Sequence, residues 1–574
     1  MNTAQQLNLE KQRHSLAHVL ALAVKRLYPD TKIGIGPVTD TGFYYEFDTE
    51  HKFSHEDLET IEEEMRKIIN ENLTFTNIVI PRDQALNTLL QLGETYKTEL
   101  LNKIPDSEVS FYKTGEDFID LCRGPHVKST GELDNFKLTK ISEGYWLNDI
   151  SRPMMQKITG VAFESRKRVE EFVENLQKLK DLNSILIAKK LKLIEDLDES
   201  TDELIWLKNG ITLKNKIINL LEESISESKS NLLQEPLITT TKDPLLVKFS
   251  KFTKKTESLD LANGKSSLRN NPHGFLLTKI MKANSFSSYG TVSECYTLSG
   301  LESKKQFKKF AEFLQSTTAL KITSVAEADL KATIIEEIRI VGKVLKALGF
   351  SQFKLIIDVP DYSKLDNYVY NEKIWDKNIN LLKEIVNEIK ISSVIREGGA
   401  EFYGPKYTFE IKDKYSRKWE PSSIIIDNIL PKELSEKLPD GGEVYYIHSR
   451  IIDSVEKMLD VILEHGEGSF PLWMEPEQVE VIALESKYNH KAIKVTSDLK
   501  EAALKVTFVS TTDSPDKLIN SAIDRKTPYI ILIGEKETQT DSVSVKVNGQ
   551  DIGLMRLNEF IKKLKTQIDD ELDS

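Results

Sequence analysis

Cysteine is nearly absent: two residues, Cys122 and Cys295, in a chain of 574. That scarcity excludes a disulfide framework, and two thiols so far apart are expected to stay reduced. No apolar run approaches the roughly 20 residues that a membrane-spanning helix needs. The first residues are polar and lack the charged, apolar and small-residue order of an export signal, so a cytoplasmic location is expected. Positive charge is in deficit, with 78 Lys and Arg against 90 Asp and Glu, a net charge of −12. This balance argues against indiscriminate nucleic-acid binding, although a local basic surface such as Lys189 to Lys192 can still meet phosphates.

What is present describes an ordinary globular protein, 39% hydrophobic and 29% charged. Its length exceeds what one hydrophobic core supports, so three or four domains are expected. An amphipathic helix is expected from Arg13 to Leu27. Lys32-Ile-Gly-Ile-Gly-Pro-Val38 and Gly42-Phe-Tyr-Tyr-Glu-Phe-Asp48 alternate as hairpin strands do. An acidic helix follows from about His55 to Asn70, its charges read as a solvated face. Ser165 to Leu193 reads as one long charged helix, and the first domain should end near residue 165, with 166–199 as a helical linker. Residues 200–475 mix helices with aromatic and β-branched strands, consistent with a helix-flanked antiparallel sheet. From Pro476 onward, strands at Val479 to Ala483, Thr507 to Ser510 and Tyr529 to Ile533 alternate with helices and lead to a hairpin and a last helix, a small α/β domain. The fold class is therefore a multidomain mixture of α+β and α/β.

Two short patterns carry chemistry: His14-Ser-Leu-Ala-His18 and Cys122-Arg-Gly-Pro-His126. Positions i and i+4 share one helix face, so both imidazoles of the first can point into one cleft. The second sits in a Gly-Pro turn directly after the apolar pair Phe118-Ile119, and turns at strand ends are where sites concentrate. Together His14, His18, Cys122 and His126 could hold a tetrahedral Zn²⁺, or surround an ester and activate water without a metal.

These residues resemble the bacterial threonyl-tRNA synthetases, class II aminoacyl-tRNA synthetases. The two His/Cys motifs, Gly34-Ile-Gly-Pro37, Gly42-Phe-Tyr-Tyr45, Tyr96-Lys97, Asp120-Leu-Cys122 and Tyr145-Trp146 are similar to that family's editing domain. Phe402-Tyr-Gly-Pro-Lys406, Arg417-Lys-Trp419, His448, Glu464-His465 and Phe470-Pro-Leu-Trp473 are similar to its aminoacylation domain, and the last hundred residues to its anticodon-binding domain. The small domain that usually precedes the editing domain is not expected, because the first motif falls at residue 14. The resemblance implies water activation by His14 and Lys97. It also implies Asp120 facing the substrate's amino group, His18, Cys122 and His126 shaping the pocket, and Tyr44, Tyr45 and Arg123 lining it.

The central region departs from the family pattern. Family members hold zinc through one cysteine and two histidines; here Asn271 stands at the cysteine position, no histidine lies between His273 and His448, and only His448 matches. No arginine occurs from Asn270 through Ile338, where guanidinium forks should grip ATP, and Glu294 brings negative charge instead. Lys457 replaces the arginine of a third motif, and Glu420 and Ile425 replace two glutamines. Tyr403 and Lys406 persist. The region from 200 to 475 is thus expected to be a pseudo-catalytic, class II synthetase-like scaffold.

The expected function is hydrolysis of mischarged Ser-tRNA(Thr), made by a separate full synthetase, with tRNA-Thr bound at its acceptor end and anticodon. Lys526 and Lys536 are candidates for reading the anticodon. The segment Asn215 to Glu222 followed by Glu235-Pro236 resembles the motif through which class II cores pair, so a homodimer is expected. No metal is favoured in the editing site, with zinc the alternative. Two rival readings stand beside this one: an active threonine–tRNA ligase using ATP and zinc, and a non-catalytic tRNA-binding or dimerising regulator.

Overall fold

The computed structural model describes residues 3–148, 152–196, 204–240, 248–249, 266–268, 278, 287–296, 315–437, 441–510, 513–540 and 542–573. The chain divides into two compact units, Met1–Asp181 and Leu182–Ser574.

The first unit is built around a helix, α1 (Thr3–Leu27). It begins ten residues before the expected Arg13, and from Leu16 to Val24 nearly every residue is buried, so this stretch is a central helix rather than an amphipathic one. The reason is that two partners enclose it: the aromatic face of β2 (Gly42–Asp48), which follows the two-residue β1 (Lys32–Ile33), and the apolar stripe of α2 (His55–Asn70). Helix α2 has the expected bounds, and most of its charges face solvent. Glu62 does not: its carboxylate is buried, accepting the Leu138 N–H at 3.0 Å and pairing with Lys137 and Arg66.

Next come β3 (Phe75–Pro81), α3 (Arg82–Gln91), α4 (Thr95–Asn102), β4 (Glu108–Thr114) and β5 (Phe118–Leu121). Strands β3, β4 and β5 form a three-stranded antiparallel sheet. With β6 (Phe136–Tyr145) and β7 (Met154–Ala162), β1 and β2 complete a four-stranded antiparallel sheet in the order β1-β2-β7-β6. Gly36 permits the β1–β2 hairpin to close, because a Cβ there would lie 2.3 Å from the Tyr45 ring.

The expected single helix from Ser165 to Leu193 is two helices, α5 (Arg166–Asp181) and α6 (Ser184–Lys190). Asn183 breaks the run: its backbone is extended and its side chain accepts the Ile185 and Leu186 N–H groups, the signature of an N-cap. Residues after the break belong to the second unit, where Ser184 bonds to Asp460 at 2.5 Å.

The second unit carries an eight-stranded sheet. Its order is Asn231–Leu233, Ser288–Tyr296, Gln315–Ala326, Val444–Ile452, Lys418–Asp427, Lys406–Lys412, Phe353–Val359 and Ser393–Glu397. Both outer pairs are parallel and the inner pairs antiparallel. Helices Lys208–Glu227, Leu330–Ala347, Glu372–Ile389 and Val455–His465 bury their apolar faces in its main core. A separate five-stranded sheet follows, with Val479–Ala483 central between parallel neighbours Val506–Val509 and Tyr529–Ile533, then an antiparallel hairpin and the helix Leu557–Asp573. This is the α/β segment that the alternation of strands and helices predicts. Among the described residues no helix is long and apolar enough to cross a membrane.

Candidate active site

In the first unit, α1 and the loop after β5 bring four ligating side chains together. Their nitrogen and sulfur atoms in His14, His18, Cys122 and His126 all lie within 4.8 Å of one another. The β-ladder delivers Cys122, whose N–H still donates to the Ser110 carbonyl at 3.1 Å. The chain then turns at Gly124, which has φ +67° and lies so close to Tyr112 that a Cβ would sit 2.5 Å from its hydroxyl. No other residue fits there. The turn lays the His126 ring parallel to Phe75, 5.1 Å between centroids, and beside Tyr112 at 4.4 Å.

Cys122 Sγ is the focus, 3.2 Å from His14 Nε2 and 3.3 Å from His126 Nε2, and it accepts the Gly124 N–H at 3.2 Å. Burial holds all four groups neutral. It lowers His14, drives His18 far below its ordinary range, takes His126 down to about 2 and pushes the Cys122 thiol up to about 11. Neutral imidazoles are the form that ligates a cation or accepts a proton.

A second cluster adjoins the first. Lys97, from α4, is 3% exposed and its Nζ lies 2.5 Å from Asp120 Oδ1. Tyr45 donates its hydroxyl to Asp120 Oδ2 at 2.5 Å, and His18 Nε2 stands 3.5 Å from the same oxygen. The Asp120 carboxylate is therefore already held by a cation and a phenol. Tyr96 and Glu99 anchor α4 from either side of Lys97: Tyr96 donates to Asp48, and Glu99 accepts from the Trp146 indole and Arg152.

Not every expected residue joins. Tyr44 and Tyr45 are consecutive in β2, so their side chains leave opposite faces. Tyr45 is fully buried at Asp120, while Tyr44 lies half-buried on the other face with Lys157 Nζ 3.3 Å from its ring centre. Arg123 is 80% exposed, 3.7 Å from Asp106. The residues that sequence reasoning missed are Phe75 and Tyr112, which pack His126, and Ser15. Only Ser15 carried a signal, lying inside the first motif.

The donor set suits zinc in kind. Three imidazoles and a thiol are common zinc ligands, and tetrahedral bonds of about 2.0–2.3 Å set donors roughly 3.4–3.6 Å apart, close to the two sulfur–nitrogen separations here. His14, His18, Cys122 and His126 would hold such an ion, Cys122 first losing its proton; Lewis-acid chemistry would need one of the four to leave its position open.

Several of the residues expected at the central site are engaged within the protein. His448 Nε2 pairs with Asp427 Oδ2 at 2.8 Å, and Asp427 Oδ1 accepts the Ile429 and Leu430 N–H groups at the start of a short helix. Lys406 and Arg450 both pair with Glu401, at 3.1 and 3.0 Å. Glu420 binds Arg396 at 2.6 Å, and Arg396 also reaches buried Asp358 at 2.6 Å. Tyr403 and Ile425 are buried in an apolar cluster with Phe402, Leu320 and Ile322. Glu294 is exposed and lines, with Glu235, a cleft of about 340 Å³. Lys457 is exposed on the helix Val455–His465, whose neighbouring Glu456 points inward to the Thr317 N–H at 2.7 Å. Asn271 lies outside the described residues. Cys122 and Cys295 are both free thiols.

Comparison with known proteins places these features in a lineage. Residues 109–145 match the model of the threonyl and alanyl tRNA synthetase second additional domain, and residues 478–567 that of an anticodon binding domain. The chain is 30% identical over 569 residues to the threonine–tRNA ligase of Clostridioides difficile, covering 97% of this chain and 88% of that protein. It is 31% identical over 578 residues to that of Clostridium tetani, covering 98% and 88%. Two crystal structures share its fold. The RNA binding domain of threonyl-tRNA synthetase from Cryptosporidium parvum has a TM-score of 0.59 at 20% identity, covering 67% of this chain and 98% of that one. A threonyl-tRNA synthetase from Aeropyrum pernix has a TM-score of 0.57 at 17% identity, covering 68% and 97%. With identity of this level sustained along almost its whole length, the chain belongs to the threonyl-tRNA synthetase family of class II aminoacyl-tRNA synthetases.

Proposed function

We propose that this protein hydrolyses the aminoacyl ester of mischarged Ser-tRNA(Thr), with residues 1–165 as the editing domain, 200–475 as a pseudo-catalytic scaffold and 476–574 as the anticodon-binding domain. The observation that carries this reading is the convergence of His14, His18, Cys122 and His126 beside the Lys97–Asp120 pair. An ester carbonyl entering the cleft meets the neutral His14 imidazole, the least depressed of the three and so the best placed to accept a proton from water, and a buried ammonium able to face the developing oxyanion. Lys97, ion-paired with Asp120, serves as the electrostatic group, which leaves His14 as the proton acceptor. Discrimination against threonine rests on one methyl group, worth about 1–3 kcal/mol in a fitted pocket.

The contrast with the central region supports the reading. Glu294 puts an exposed carboxylate on the strand where the family pattern calls for an arginine, and His448, Lys406 and Arg450 already have internal partners. The test is twofold. The purified chain should release serine from Ser-tRNA(Thr) and show no threonine-dependent ATP–pyrophosphate exchange. Exchange at the rate of an ordinary ligase would overturn the scaffold assignment.

A second reading, an active threonine–tRNA ligase, is favoured by one observation: its relatives carry that name across 97% of this chain. The same exchange measurement decides between them. A non-catalytic regulator would bind the tRNA and leave the seryl ester intact. Under the proposed reading the partners are tRNA-Thr, a second copy of the chain and a separate synthetase that makes the mischarged product.

A further inference from the structure

Ser15 lies between the two histidines of the first motif, and its hydroxyl makes three polar contacts. Its Oγ is 2.9 Å from the Lys11 carbonyl, 3.1 Å from the Val127 backbone N–H and 3.1 Å from His126 Nδ1. The roles of two partners are fixed by chemistry. A carbonyl only accepts and a backbone N–H only donates. Ser15 has one proton, and it must go to Lys11, the back-bond that serine makes to the carbonyl four residues earlier in a helix. Turning that proton toward His126 would set two oxygen lone-pair regions face to face at 2.9 Å. The hydroxyl therefore accepts from Val127 and from His126, and the ring nitrogen at this contact carries the hydrogen.

We propose that Ser15 is a positioning residue that fixes His126 as the Nδ1–H tautomer, so that the Nε2 lone pair faces Cys122 and the cleft. Stacking on Phe75 holds the ring plane and Ser15 holds its protonation pattern, two constraints from different elements meeting on one side chain. The same logic applies to His14. Its backbone hydrogen bond to Pro125 must be donated by a ring N–H, since proline offers only a carbonyl. Fixing the tautomer by a bond to the remote nitrogen is how a histidine is made a dependable base or ligand. Cys122 has one thiol proton and two Nε2 atoms in reach, His14 at 3.2 Å and His126 at 3.3 Å, so it donates to one of them at a time.

The catalytic consequence rests on the hydrolase reading; the tautomer itself does not. The experiment uses the full chain with ¹⁵N-labelled histidine. Long-range ¹H–¹⁵N correlation spectra report which imidazole nitrogen is protonated, and His126 is assigned by its disappearance in His126→Asn. Wild type should show protonated Nδ1 and bare Nε2. Ser15→Ala should lose that single pattern, and Ser15→Thr, whose hydroxyl can make the same back-bond, should restore it. In deacylation of Ser-tRNA(Thr), Ser15→Ala should lower kcat by about 10- to 100-fold with KM unchanged, and Ser15→Thr should recover it. A wild-type His126 protonated at Nε2, or a pattern unchanged in Ser15→Ala, overturns the proposal. If the wild-type spectrum is as expected but the wild-type chain leaves seryl ester untouched, the hydrolase reading falls and the tautomer assignment stands.

Discussion

At the scale of single residues, the Lys97–Asp120 pair must be judged on two accounts at once. Both groups are buried, so removing one strands the other charge in a poorly solvated place. Lys97→Ala should slow deacylation by roughly a hundredfold or more, and by leaving Asp120 unpaired it should also lower stability by about 3–5 kcal/mol. His14→Ala should slow the reaction by a similar factor with a much smaller loss of stability, because His14 is only partly buried and forms no ion pair. Deacylation rates and denaturant midpoints measured on the same preparations separate the two effects. If Lys97→Ala is inactive yet as stable as wild type, the ion pair is not what the distance indicates. The motif histidines and Cys122 were legible in the sequence because their spacing and residue types stand out, whereas Lys97 and Asp120 were singled out only through the resemblance to the family's editing motifs. The difference between Tyr44 and Tyr45 was legible in principle from the two-residue period of a strand, yet a resemblance that names both obscures it. Phe75 and Tyr112 were not legible, since aromatic residues in alternating strands look alike whether they pack a core or a histidine.

At the scale of elements, period and capping explain both what could be read and what could not. The acidic helix expected from about His55 to Asn70 has those bounds, and in the structure Ser54 and Asp57 form a capping box at its start. The break at Asn183 was not readable, since the surrounding residues are helix formers and only a side chain accepting two N–H groups ends the run. Asn183→Ala should lower the stability of the second unit by about 1 kcal/mol, as loss of an N-cap does, and thermal unfolding of the variant checks it. The burial of α1 was also hidden, because a helix enclosed by a sheet and a second helix shows only a long apolar run. Gly36 gives the sharper element-scale test. Gly36→Ala places a methyl against the Tyr45 ring, so the β1–β2 hairpin or Tyr45 must shift, at a cost of about 1–3 kcal/mol. Because Tyr45 donates to Asp120, this variant should lose deacylation as well as stability. Full activity in Gly36→Ala would show that the Tyr45 hydroxyl is dispensable.

At the scale of the whole molecule, the order of strands and helices made the mixed fold class readable, whereas the way segments are joined depends on contacts far apart in sequence. The segment from Phe470 to Gln478 leads from the eight-stranded sheet's helices into the five-stranded sheet, and it is held by side chains from both. Lys216 donates to the Trp473 and Glu475 carbonyls at 2.7 and 3.0 Å, Trp473 donates its indole to Ala347 at 2.7 Å, and Glu571 accepts the Trp473 N–H at 3.1 Å. Within this junction burial pushes Glu475 from 4.5 up to about 8, and Lys216 is pushed down to about 8. For Glu475 the folded form binds its proton more tightly than the unfolded chain does. Its contribution is complete below about pH 4.5 and is lost as pH rises toward about 8. Lys216 works in the opposite sense, with stability recovering as pH rises from about 8 toward 10.5. The two together place a minimum near pH 8. Stability of the second unit should fall between pH 5 and 8, by an amount on the order of a few kcal/mol if Glu475 dominates. Glu475→Gln keeps the shape, cannot ionise and should flatten that decline, so the gap in unfolding temperature between mutant and wild type widens as pH rises. A mutant profile parallel to the wild-type one would mean that Glu475 ionises freely in the folded protein and that the junction is open to water.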